Sequence, residues 1–101
     1  MMQGARILVV DDEPQIRRSL QVNLESKGYA VETAETGEEA IGAFNNRHPD
    51  VIILDLIMPG MGGVEVVRCI RESSTVLIIV LSAIGDERRK VEALEAGRTT
   101  T

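Results

Sequence analysis

Residues 51–62 read VIILDLIMPGMG, an aliphatic run that ends on Asp55 and then turns through Pro59 and Gly60. A run this short, apolar and rich in β-branched residues is a buried strand. Its last residue is a carboxylate, which either marks the exit to solvent or performs chemistry at the strand end. The rest of the chain decides between the two.

The same grammar repeats on both sides of this stretch. ARILVV (5–10) is a second apolar run, and DDEPQIRRSLQVNLESKG (11–28) follows it with Ile16, Leu20 and Leu24 at i, i+4, i+8, the period of a helix. Pro14 suits the first helical turn, where its missing N–H costs nothing, and Gly28 suits a left-handed residue after the last turn. YAVETA (29–34) alternates like a half-exposed strand, and Thr36 with Glu39 forms a T-x-x-E capping box before a helix bearing Ala40, Ile41 and Phe44. His48-Pro49 breaks that helix and places His48 in a surface loop. After the strand at 51–55, Val64, Val67 and Ile70, with Cys69, give a third helix its apolar face, and VLIIVLS (76–82) is a fourth strand. Asp86 caps a fourth helix, DERRKVEALEAG, with Val91 and Leu94 on its buried side and Gly97 as its stop. Four consecutive βα units predict an α/β fold, an open parallel sheet with right-handed crossovers and helices on both faces.

At 101 residues the chain is read as one domain, 1–101. With one Phe, one Tyr and no Trp, Val, Ile, Leu and Ala must build the interior. The net charge of −5 provides no basic stripe for phosphate backbones, so direct nucleic-acid binding is excluded from the expectations. A single cysteine, Cys69, makes no internal disulfide and on a valine-rich helix is expected to be core filler. Without a targeting stretch or an apolar span near membrane length, the expected location is cytoplasmic, with no membrane partner.

In open parallel sheets, ligands bind outside the carboxyl ends of the strands. The residues there are Asp11, Asp12, Asp55 and Ser82. Three carboxylates converging on one rim repel one another unless a cation shares the site, so they predict a metal. Oxygen donors favour a hard ion, Mg²⁺ with Mn²⁺ as substitute, and the backbone carbonyl of Ile57 completes the expected set. With that charge neutralised, Asp55, alone at the end of the central strand, is the nucleophile toward a phosphoryl group. Ser82 is positioned to donate a hydrogen bond to a phosphoryl oxygen. Taken singly, each residue also has a plainer reading: Asp11 and Asp12 as helix caps, Ser82 as a small polar strand exit.

Taken together, ILVVDDEP, VIILDLIMPGMGG and VLSA followed by an ALEAG-bearing helix resemble, in order and spacing, the receiver domain of two-component response regulators. The flavour is that of the OmpR-type transcription factors, and among these it is similar to potassium-uptake regulators. The resemblance implies a five-stranded flavodoxin-like fold, a sensor histidine kinase as phosphodonor and Mg²⁺ held by the acidic pair. It makes Asp55 the phosphoacceptor, Asp11 and Asp12 the metal site, Ile57 a backbone ligand and Ser82 the switch hydroxyl. Such a domain is a phosphoacceptor in signalling rather than an enzyme, with self-phosphorylation and self-dephosphorylation at most.

Two departures from the family pattern stand out. Receivers usually carry Asp where this chain has Gly62. After Gly97 comes only RTTT, where the family continues with a fifth strand, a lysine that pairs with the phosphoryl group, an aromatic switch residue and a fifth helix. The chain therefore reads as a C-terminally truncated receiver whose phosphotransfer is slowed and whose output is lost. The expected strand order 2-1-3-4-5 then leaves the fourth strand as an apolar edge, which predicts a homodimer or larger assembly through it. The alternative reading is a phosphorylation-incompetent, receiver-like interaction or dimerisation module. A haloacid-dehalogenase-type phosphatase would need a second acid two residues after the nucleophile, where this chain has Ile57, and no G-x-x-x-x-G-K-[ST] loop is present to hold nucleotide.

Overall fold

The computed structural model describes residues 4–56 and 60–81. Its elements alternate as the periodicity requires: β1 (Arg6–Val10), α1 (Pro14–Ser26), β2 (Ala30–Ala34), α2 (Gly37–Arg47), β3 (Val51–Asp55), α3 (Gly63–Arg71) and β4 (Leu77–Leu81). The expected fourth helix, with Val91, Leu94 and Gly97, lies outside the described residues, as do Ile57 and Ser82.

Among the described residues all strand pairs are parallel, in the order β2-β1-β3-β4. This is a flavodoxin-like α/β sheet, in the order expected for its first four strands. Alternation along β1 sends its side chains to opposite faces. Leu8 and Val10 join Ile52, Leu54, Ile78 and Val80 in the larger core, closed by Ala40 and Phe44 of α2 and by Val66, Val67 and Ile70 of α3. Ile7 and Val9 face the other way with Val51, where Leu20 and Leu24 of α1 pack against them.

The helix ends follow the expected chemistry. Pro14 occupies the first turn of α1, and Gly28 takes the left-handed conformation, φ 96°, that turns the chain toward β2. Thr36 caps α2, its hydroxyl accepting from the Glu39 amide at 3.1 Å. The Glu39 carboxylate reaches back to the amide of Glu35 at 2.9 Å, one residue before the cap, so the box is closed in a slightly extended form.

Two expectations are corrected. Cys69 is exposed, and the buried face of α3 is Gly63, Val66, Val67 and Ile70. These are i, i+3, i+4 and i+7 of a helix that begins at Gly63; Cys69 is two residues beyond Val67 and so turned some 200° away from it. Val64 is only half-buried against the core. In α1, Leu20 and Leu24 are half-buried while Ile16 stays 43% exposed, so the apolar stripe is covered over its second half only. Among the described residues no helix is long and apolar enough to cross a membrane.

Candidate metal and phosphoacceptor site

Register brings the acids together. Val10 of β1 pairs with Leu54 of β3, so the next residue on each strand, Asp11 and Asp55, emerges at the same level of the rim. The Asp11 amide still donates to the Ala34 carbonyl, at 3.1 Å, which carries the β1–β2 ladder one residue past the end of β1. Asp12 follows on the turn into α1. One carboxylate oxygen from each of Asp11, Asp12 and Asp55 falls within 4.8 Å of the others.

The turn that presents the pair is tied by Asp11 itself. Its Oδ1 accepts from the Glu13 amide at 2.8 Å, and its backbone carbonyl accepts from the Arg17 guanidinium at 2.7 Å. Asp11 is 2% exposed, and burial is the main reason its carboxyl is held above its ordinary 3.8. The Asp12 charge pushes in the same direction, while the Glu13 amide and the Arg17 cation push against it. Asp12 and Asp55 are half-buried, open enough for their oxygens to meet an ion or a ligand from solvent.

Behind Asp55 the chain is packed backbone to backbone. The Leu56 amide donates to the Leu81 carbonyl at 3.3 Å, and the Gly63 amide donates to the Leu56 carbonyl at 3.2 Å. A Cβ on Gly63 would stand 2.7 Å from both the Asp55 carbonyl and the Leu56 Cα, so only glycine lets α3 start this close to the end of β3. Gly62 caps α3 without a side-chain hydrogen bond.

Of the residues expected at the site, the fold gathers Asp11, Asp12 and Asp55; Ile57 and Ser82 lie outside the described residues. Arg17 and Gly63 belong to the same neighbourhood and carry no motif of their own. The available signal for Arg17 is a basic residue in the opening turns of α1, soon after the acidic pair.

A donor set of three carboxylates, held on two adjacent parallel strands and the turn after one of them, suits a hard divalent cation. The sequence matches the response regulator receiver domain over residues 7–101. This chain belongs to the response regulator receiver family. The receiver is 50% identical over 92 residues to the transcriptional regulatory protein ResD of Bacillus subtilis, a match covering 91% of this chain and 38% of ResD. It is also 50% identical over 91 residues to the transcriptional regulatory protein KdpE of Mycobacterium tuberculosis, covering 90% of this chain and 40% of KdpE. The receiver thus spans about two fifths of the length of the curated relatives it matches. Among solved structures, the response regulator TrrA of Thermotoga maritima, in complex with Mg(2+)-BeF, superposes with a TM-score of 0.82 at 40% identity, covering 96% of this chain and 87% of that one. Receiver domains act in two-component phosphorelays and bind Mg²⁺ at an acidic pocket, and the described residues of this receiver hold a cluster of three acids, Asp11, Asp12 and Asp55.

Proposed function

We propose that this receiver accepts a phosphoryl group on Asp55, with a sensor histidine kinase as donor and a divalent ion, Mg²⁺ or Mn²⁺, held by Asp11, Asp12 and Asp55. The observation that carries the reading is the convergence of the three carboxylates within 4.8 Å at the carboxyl ends of β1 and β3. An oxygen of Asp55 attacks phosphorus, the bond from phosphorus to the donor breaks, and the donor leaves with the bonding pair, giving an acyl phosphate. When bound, the metal supplies neutralisation of the charge on the phosphoryl oxygens. Asp55 is suited to attack because its backbone is fixed on both sides, by β3 pairing and by the approach of Gly63. On sequence order alone, the reading assigns Ser82 the hydroxyl that donates to a phosphoryl oxygen and Ile57 a backbone carbonyl ligand.

That the relatives are transcriptional regulatory proteins supports placing this receiver in a regulator of transcription, under control of its phosphorylation state. The partner reading also includes self-association through β4, which has β3 as its one neighbour among the described residues and carries the exposed Leu77.

The test is incubation of the protein with acetyl phosphate and Mg²⁺, followed by intact mass measurement. A gain of one phosphoryl group that requires Mg²⁺ and vanishes in Asp55→Asn is expected. A mass gain that survives Asp55→Asn, or none in the wild-type protein, rejects the assignment.

A further inference from the structure

The three carboxylates need a turn that presents them, and α1 offers little of the usual scaffolding. Its N-cap, Glu13, makes no side-chain capping bond, and its first turn contains no acid. Besides the bond from the Glu13 amide to Asp11 Oδ1, the turn is tied by Arg17. Its backbone amide donates to the Glu13 carbonyl at 3.0 Å, and its Nη1 donates to the Asp11 carbonyl at 2.7 Å. One residue therefore bonds both ends of the segment Asp11-Asp12-Glu13. The Asp11 carbonyl lies one residue past β1, so this charge-assisted bond takes up an acceptor that the end of the strand leaves over.

We propose that Arg17 is a positioning residue of the metal site, fixing the turn so that the Asp11 and Asp12 carboxylates point together at a divalent ion. The inference rests on the metal reading of the acidic cluster. Its bond goes to a backbone oxygen and so occupies none of the carboxylate oxygens. The arginine also sits close enough to the acids to offset part of the repulsion between Asp11 and Asp12, the direction in which it moves the Asp11 carboxyl.

Charge and position predict opposite signs for the loss of this residue. If Arg17 acted only as a nearby cation, its removal would tighten binding of a divalent ion, because like charges repel. If it holds the turn, its removal loosens binding, as loss of groups that orient metal ligands does, by about tenfold or more.

The experiment titrates Mn²⁺ into the full 101-residue chain, following the free-ion signal by electron paramagnetic resonance. Arg17→Met and Arg17→Gln are expected to bind about tenfold more weakly than wild type. Arg17→Lys, which keeps the charge and one donor, is expected to retain most of the affinity, since the observed bond uses a single guanidinium nitrogen. Arg18→Met, which removes the exposed neighbouring charge, should leave affinity unchanged. Wild-type or tighter binding in either charge-removing variant overturns the role of Arg17, and so does a tenfold loss in Arg17→Lys. Failure of the wild-type protein to bind Mn²⁺, or undiminished binding in Asp12→Asn, overturns the metal reading itself, so the two failures are told apart.

Discussion

Gly37, the first residue of α2, lies directly against Met61, two residues before α3: a Cβ built on Gly37 would stand 2.6 Å from the Met61 backbone oxygen and 2.9 Å from its Cβ. The close approach joins α2 to the segment behind Asp55. Gly37→Ala must push that segment away, and overpacking of this kind costs about 1–3 kcal/mol. Gly42, in the same helix, has nothing within 4 Å of its built Cβ, so Gly42→Ala should instead stabilise by about 0.5–1 kcal/mol through better helix propensity. Urea denaturation of the two variants gives opposite shifts in midpoint; equal shifts would show that the Gly37 contact has no energetic weight.

Gly62 opens a different route to stabilisation. It is the N-cap of α3 in extended conformation, φ −76° and ψ 172°, and a Cβ there would meet only the Leu56 carbonyl, at 3.8 Å. Gly62→Asp, which restores the residue usual in receivers, gains a capping acceptor, a favourable charge at the helix start and a stiffer unfolded chain. The expected gain is about 0.5–1 kcal/mol, read as a higher melting temperature. A lower one would mean that the added carboxylate is repelled by its surroundings.

Burial holds the Asp11 carboxyl above its ordinary 3.8. In the unfolded chain this group ionises near 3.8, whereas in the folded protein it keeps its proton to higher pH. The folded state therefore binds more protons across that window, and stability falls as pH rises through it, leaving the penalty complete at neutral pH. Asp11→Asn removes the charge and retains the oxygen that accepts from the Glu13 amide. In metal-free buffer at neutral pH it should be more stable by about 0.5–2 kcal/mol, with the difference closing as pH is lowered toward 3.8. Mg²⁺ should then stabilise the wild-type protein and leave the variant unmoved; a destabilised variant in chelator would contradict the account.

Exposure of Cys69 on the outer face of α3 predicts that a thiol reagent modifies it in the native protein without a change in far-ultraviolet circular dichroism. Protection until denaturant is added would return this residue to the interior.

If β4 mediates self-association, a charge on its edge should disperse the assembly. Leu77 opens the strand and is 46% exposed, so Leu77→Lys is expected to lower the sedimentation coefficient at micromolar concentration. A wild-type protein that sediments as a monomer across that range excludes the association.

The acidic cluster was legible in the sequence because its logic is one-dimensional: apolar runs that end in acids become adjacent once parallel pairing sets β1 beside β3. Helix identity was legible for the same reason, from the spacing of Leu20, Leu24, Ala40, Phe44, Val67 and Ile70. The facing of Cys69 was not, because the expected stripe runs through Val64, which is half-buried, instead of Val66, which with Val67 and Ile70 lines the buried face and leaves Cys69 outside it. Nor do the contacts from Arg17 to a backbone oxygen and from Gly37 to Met61 leave a compositional trace. The first uses an acceptor every residue carries, and the second joins positions 24 apart through backbone shape.

Helix α1 contains no buried residue, and both Ile16 and Val22 face water. The acidic turn is thus attached to the one described helix with no buried residue, and local opening of that helix would dismantle the three-carboxylate cluster before the central strands give way. By reciprocity, an ion that prefers the assembled turn must slow amide hydrogen exchange along α1. Occupancy at the rim and adhesion of a helix to its sheet become one thermodynamic variable, so the ion would act as a fastener for a structural element as well as a participant in chemistry.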